Sequence, residues 1–193
     1  MNARADIPTT ACVLWHRLDG PGHDSARLIE KPDGAVVHGT AVFSESGRPC
    51  RLDYVVECDA EWRTVSARVT GWIGVADVAV EIAVDAARDW TYNGRRCPDV
   101  QGRDDIDLSF SPATNLLPIR RSRLAIGARV SAHAAWLSFP GLVLEPLEQI
   151  YERVSASRFR YESGGGAFVT MLETNASGFV VQYPGMWRGE PAA

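Results

Sequence analysis

Two aspartates one residue apart, Asp105 and Asp107, have the types and the spacing that could support chemistry. Side chains at positions i and i+2 of a strand lie on one face, so the two carboxylates would stand roughly 7 Å apart at about 3.3 Å per residue. Glycosidases hold a pair of carboxyl groups about 5 to 9.5 Å apart, depending on their mechanism. The spacing therefore admits a carbohydrate-active enzyme with one aspartate as acid and the other as base.

Arginines follow this pair in the chain, at Arg120, Arg121 and Arg123. An arginine opposite a carboxylate keeps it ionised through forked, charge-assisted hydrogen bonds and lowers its pKa. A glycosidase acid needs a raised pKa instead, so the arginines argue against catalysis. Two other interpretations stay open: a polar mouth that hydrogen-bonds the oxygens of a sugar or lipid headgroup, or a set of ion pairs that fixes the central loop.

The elements that must position these residues are predicted to be strands. Apolar and polar residues alternate with a period of two over residues 50–58, 78–84, 159–161 and 179–183, as is typical of half-buried strands. The best helical candidate, residues 147–157, is rich in β-branched and aromatic residues that also suit a strand. We therefore expect a mainly β fold with few, short helices.

Turn residues predict how the strands connect. The dipeptides Asp33-Gly34 and Asn93-Gly94 favour tight hairpins, which join antiparallel neighbours. A sheet of many strands is expected to roll up or close to protect its edges, and a curved sheet has a concave surface.

The polar region between the two β-rich halves contains two prolines, Pro112 and Pro118. Each proline fixes its own φ angle and restricts the residue before it to extended conformations. Residues 111–119 are therefore predicted as an ordered crossing rather than a helix.

Length and charge limit the domain count and the partners. A chain of 193 residues predicts one domain over residues 1–193, with an ordered core of about residues 11–188. The formal net charge of −4 gives no general attraction to phosphate backbones, so nucleic acid is not an expected partner. The sequence has no signal-peptide core and no window of 18 apolar residues, so we expect a cytoplasmic protein without a membrane anchor.

Motifs for other chemistry are not evident in the sequence. The four cysteines have no C-x-x-C spacing and the four histidines are dispersed, so neither a metal nor a cofactor is expected. No nucleophile elbow and no phosphate-binding loop appears. We expect no catalytic residues.

The stretch DIDLSFSPATNLLPIRR, residues 105–121, resembles the signature of the putative glycolipid-binding family, formerly a domain of unknown function. Four flanking pieces are also similar to that family, so the resemblance covers nearly the whole chain. These pieces are LWHRLD (14–19), LDYVVECDAEWRT (52–64), QIYER (149–153) and GFVVQYPGMW (178–187).

The resemblance implies a spiral, rolled antiparallel β-sheet like that of the periplasmic lipoprotein carriers. It also implies a concave apolar interior that holds a glycolipid or another amphipathic molecule. Within the signature, the residues expected at the ligand-binding rim are Asp105, Asp107, Asn115, Arg120 and Arg121.

Three of the six tryptophans, Trp62, Trp90 and Trp136, have polar neighbours and are candidates to line the cavity. Each combines a large apolar ring with one hydrogen-bond donor, which suits a sugar ring or an acyl chain. A third class of function is also open, because an exposed sheet face or edge can pair with another protein, as in a homodimer.

Overall fold

The computed structural model describes residues 10–190. Residues 1–9 and 191–193, which include both ends of the predicted domain, lie outside the described residues. Within the described range the chain forms fifteen strands, one α-helix and three short 3-10 turns. The strands are β1 (Thr10–Arg17), β2 (Gly22–Lys31), β3 (Gly34–Glu45), β4 (Arg48–Asp59), β5 (Thr64–Ile73), β6 (Ala76–Val84), β7 (Trp90–Tyr92), β8 (Arg95–Arg96), β9 (Asp105–Leu108), β10 (Arg129–Ser138), β11 (Val143–Arg153), β12 (Arg158–Ser163), β13 (Phe168–Thr174), β14 (Val180–Tyr183) and β15 (Trp187–Gly189).

All fifteen strands belong to one sheet. From one edge to the other the order is β8 down to β1, followed by β15 down to β9, so the first strand pairs with the last. Every pair is antiparallel except β9 with β10, at one edge. The prediction of a mainly β, largely antiparallel fold is confirmed.

Alternation along the strands sorts side chains between the inside and the outside of the sheet. In β4 the inward residues are almost fully buried, from Cys50 to Cys58 in steps of two, whereas Arg51 and Glu57 are exposed. Residues 147–157 are not helical, because β11 continues to Arg153. Here β-branched and aromatic side chains fit the half-buried strand that the same pattern allowed.

The predicted hairpins are present. Asn93 and Gly94 form the turn between β7 and β8 with φ angles of 47° and 75°, the positive values that a type I′ turn needs. Pairing of Lys31 with Gly34 leaves Pro32 and Asp33 as the connection between β2 and β3, so this hairpin turns one residue earlier than the Asp33-Gly34 dipeptide predicted.

The two halves of the sheet roll toward each other without closing. Thr64, at the start of β5, donates its backbone N–H to the Asp104 carbonyl at 2.9 Å, and its Oγ1 accepts from the backbone of Ile106 at 2.9 Å. The Arg88 guanidinium donates to the carbonyls of Thr64 and Asp104 at 2.7 and 3.0 Å. These hydrogen bonds pair backbone groups at the edge of β9 and hold the two halves of the rolled sheet together.

Residues 109–122, which we call the plug, lie inside the roll and correct one prediction. They form a 3-10 turn (Pro112–Asn115) and the helix α1 (Leu116–Ser122), not an extended crossing. Pro112 lies in the first turn, where its missing N–H costs little, and Ser111 caps that turn by accepting from the Ala113 N–H at 3.1 Å. Pro118 likewise lies within the first turn of α1.

The plug occupies much of the concave interior. Ala113, Leu116 and Leu117 have no exposed area, and they join one continuous core with side chains of the surrounding strands. The interior is therefore packed with the chain's own side chains, and space for a ligand is confined to smaller pockets. In the described part of the chain, no helix is both long and apolar enough to cross a membrane.

Candidate functional site

A pocket of about 290 Å³ opens between the plug and strands β9 to β15. The plug forms one wall, and the strands of the second half of the sheet form the other. Besides two tryptophans, seven side chains with hydrogen-bonding groups line it: Asp107, Ser109, Ser111, Asn115, Tyr161, Ser163 and Tyr183. Aromatic and aliphatic side chains line the rest, among them Trp136, Phe168, Met186 and Trp187.

Asp107 is the single charged side chain among the described residues that line this pocket. Gln149 Nε2 donates to its Oδ2 at 2.6 Å, while no described side chain or backbone group donates to Oδ1. Burial raises the pKa of Asp107 to about 6, and the Gln149 hydrogen bond opposes that rise. The pocket therefore presents one acceptor that the protein does not satisfy.

Neighbouring polar groups are held in place by the strands behind them. Gln149 is 2% exposed, and its Nε2 also donates to the Tyr161 hydroxyl at 2.9 Å. Asn115 donates from Nδ2 to the Tyr151 hydroxyl at 2.9 Å. Fixed side chains of this kind pre-organise a binding site, because less ordering is needed when a ligand arrives.

Asp105 lies on the same strand as Asp107 but does not line the pocket. Its carboxylate is 1% exposed and accepts two hydrogen bonds from the Arg121 guanidinium. Only one carboxylate of the pair therefore faces the cavity. The acid–base pair of the enzyme hypothesis is not assembled there.

The expected lowering of both aspartate pKa values is wrong. Burial raises the pKa of Asp105 to about 6, although Arg121 opposes that rise. Asp107 has no arginine partner among the described residues, so its carboxylate gains no such compensation. The loss of water around each carboxyl raises its pKa by more than the attraction to arginine, expected from the sequence, would lower it.

Arg120 lies apart from the two aspartates. It donates to Glu30 Oε2 at 2.6 Å and to the Ser177 carbonyl at 3.2 Å, and its guanidinium lies 4.6 Å from the centre of the Trp62 ring. Trp62 and Arg120 line a different pocket of about 420 Å³, together with Arg123. The four Asp and Arg side chains of the signature therefore do not form one polar rim.

The three candidate tryptophans have three different environments. Trp136 lines the 290 Å³ pocket, whereas Trp62 lines the other one. Trp90 is fully buried in the core and donates from Nε1 to the Arg103 carbonyl at 3.1 Å. Sequence reasoning missed Trp187, which lines the pocket and lies at the end of the GFVVQYPGMW segment.

A buried polar cluster behind the pocket was also missed. Asp24 is completely buried and accepts hydrogen bonds from the Tyr54 hydroxyl, at 3.0 and 3.1 Å, and from Ser111 Oγ. Burial raises the pKa of Asp24 to about 7, and these hydrogen bonds oppose the rise. A signal was present, because Asp24 alternates in phase with the apolar Ala26 and Leu28 on β2.

Within residues 10–190 no three His, Cys, Asp or Glu side chains come together in a way that could hold a metal ion. The fold does bring His16 and His23 together across β1 and β2, with Nδ1 and Nε2 3.3 Å apart.

Comparison with known proteins adds to the geometry. No curated protein matches the chain. A solved structure that is similar to it is a DUF1089 family protein from Pseudomonas aeruginosa, with 30% sequence identity and a TM-score of 0.76. The match covers 86% of this chain and 91% of that chain. A family model described as putative glycolipid-binding matches residues 12–189, and the chain therefore belongs to that family.

Proposed function

We propose that the protein binds the sugar headgroup of a glycolipid, or of a related amphipathic molecule, in the 290 Å³ pocket. The observation that carries the proposal is the lining, in which hydrogen-bonding side chains and aromatic rings surround the same cavity. A sugar ring needs both, because its hydroxyls donate and accept hydrogen bonds while its C–H faces are apolar. The family description supports the same class of ligand.

Pocket size limits how much of the ligand is enclosed. Small-molecule sites span about 300 to 1,000 Å³, so a volume of about 290 Å³ lies at the lower end. A single sugar ring fits this space, but a ring together with its acyl chains does not. We assign the headgroup to the enclosed part because its hydroxyls match the polar side chains of the lining.

The acyl part has apolar surface to contact as it leaves the pocket. Phe168 lines the pocket and is 37% exposed, and Ala167 beside it is also exposed. Each methylene group that leaves water here contributes up to about 0.8 kcal/mol. An alkyl glycoside should therefore bind more tightly than the free sugar.

Intrinsic tryptophan fluorescence tests the proposal. Titration with octyl β-glucoside, kept below its micelle concentration, is expected to give a saturable change that methyl β-glucoside produces only at higher concentration. Trp136→Phe and Trp187→Phe should remove most of that change, whereas Trp72→Phe, at a site outside the pocket lining, should preserve it. Failure of a panel of octyl glycosides to bind saturably would reject the proposal.

A further inference from the structure

The pocket has an unusual charge balance for a chain with many arginines. None of the lysines and arginines that the structure describes lines it, and Asp107 supplies its only formal charge among those residues. A phosphate, sulfate or carboxylate on the ligand would enter without a cationic partner. Proteins that bind such groups commonly provide arginine or lysine for charge-assisted hydrogen bonds.

A neighbouring cleft does not provide that cation either. It shares Ser109, Met186 and Trp187 with the pocket and contains Arg17. Arg17 is already paired with Asp19 at 2.5 Å and with Glu45 at 3.5 Å. Two carboxylates therefore pair with this guanidinium, so the described residues of this cleft bring no net positive charge to the pocket.

The unpaired oxygen of Asp107 favours a ligand group that donates a hydrogen bond over an anionic group. Gln149 occupies Oδ2, so Oδ1 is free to accept a hydrogen bond from the ligand. Because the pKa of Asp107 is raised only to about 6, the carboxyl is mainly ionised at about pH 7.5. An ionised carboxylate accepts hydrogen bonds but donates none.

We infer that the pocket is selective for a neutral or amino sugar, and that Asp107 excludes sugars that carry phosphate, sulfate or carboxylate. This inference rests on the proposed function and specifies the headgroup. A hydroxyl or ammonium group of the ligand donates to Oδ1 of Asp107. An anionic group at the same place meets a like charge, which is a strong means of excluding a wrong ligand.

Three octyl glycosides of matched size test the inference with the full chain: octyl β-glucoside, its 2-amino analogue and octyl β-glucuronide. Calorimetric titration at about pH 7.5 is expected to give dissociation constants at least about tenfold weaker for the glucuronide than for the other two. Asp107→Asn should reduce this difference in affinity, because the amide keeps the shape of the side chain and removes its charge. Asp77→Asn, at an exposed position outside the pocket, is the control that should retain it.

The outcomes separate the inference from the proposed function. Equal or tighter binding of the glucuronide to the unaltered protein would overturn the inference, while the proposed function would stand. An unchanged difference in affinity in a folded Asp107→Asn variant would also overturn it. If none of the three glycosides binds, the proposed function fails and the inference fails with it. The comparison among ligands needs no variant, so a misfolded Asp107→Asn protein would not prevent the test.

Discussion

Gln149 donates a hydrogen bond of 2.6 Å to Oδ2 of Asp107 and thereby leaves Oδ1 of the same carboxylate to the pocket. One buried amide thus orients the Asp107 carboxylate and opposes the rise in its pKa that burial causes. Gln149 also reaches the Tyr161 hydroxyl, so the same side chain links two groups of the lining. The geometry of the pocket depends on this support as much as on the lining residues.

Removal of the Gln149 amide should change the pKa of Asp107. Gln149→Met keeps the length of the side chain but loses the donor, so the pKa of Asp107 should rise above about 6. Carbon-13 NMR of the aspartate carboxyls would measure the shift, and glycoside affinity should fall at neutral pH. Gln182→Met, on the exposed side of β14, is the matched control. An unchanged Asp107 pKa in the Gln149 variant would contradict this account.

The Asp105–Arg121 pair is predicted to stabilise the fold rather than contact the ligand. Arg121→Gln leaves a buried carboxylate without its partner and should cost about 3 to 5 kcal/mol of unfolding free energy. Adding Asp105→Asn should recover part of that loss. Arg96→Gln breaks an exposed pair with Asp89 and should cost about 1 kcal/mol or less in chemical denaturation. Equal costs for the two arginines would show that Arg121 has no special structural role.

Stability should fall with rising pH because of Asp24. Its folded-state pKa of about 7 exceeds the unfolded value of about 3.9, so the folded state holds the proton more tightly between these values. The stabilisation is complete below about pH 4 and is lost as the pH rises to about 7. Asn cannot ionise, so Asp24→Asn should stabilise the protein more at pH 8 than at pH 5, by about 2 kcal/mol.

Urea denaturation at the two pH values measures this difference, with Asp77→Asn as the control at an exposed aspartate. A gain that is the same at both pH values would mean that Asp24 titrates normally in the folded protein. Tyr54 and Ser111, the groups that face the carboxylate from β4 and the plug, are unchanged in this comparison.

Gly39 is predicted to be needed for full stability because the Tyr54 ring packs over it. A Cβ at this position would lie 2.5 Å from the Tyr54 hydroxyl oxygen and would also overlap the Ser25 carbonyl. Gly39→Ala should therefore cost about 1 to 3 kcal/mol and disturb the Tyr54–Asp24 hydrogen bonds. Gly141→Ala, whose Cβ would lie 3.6 Å from the nearest side chain, should be tolerated in the same thermal melt. Similar melting temperatures for both variants would refute the packing argument.

Local patterns were sufficient to predict four of the strands, β4, β6, β12 and β14, because alternation in a segment such as residues 50–58 depends only on which face of the sheet meets the core. They were not sufficient for the plug. Pro112 and Pro118 predict an extended crossing, yet both lie in first turns where a proline is accepted. Whether a proline begins a helix or prevents one depends on residues that pack around it after folding.

Only part of the candidate site was predictable, because contacts that form on folding are not visible in local sequence patterns. Asp107, Asn115 and Trp136 line the pocket, but partners distant in sequence determine the rest. Arg120 pairs with Glu30, which lies 90 residues away, so proximity to the aspartates in the chain was misleading. Spacing can predict a shared strand face, but contacts across the roll decide which side chains meet.

The most direct test of the proposed headgroup site is a calorimetric titration of octyl β-glucoside into the unaltered protein and into Ala167→Trp. Ala167 lines the pocket from an exposed position, so a larger side chain there should fill the entrance without disturbing the core. We predict saturable binding to the unaltered protein and a loss of at least about tenfold in affinity for a variant with the same melting temperature. Equal affinity of the two proteins would contradict the central claim, because the ligand would then be bound elsewhere.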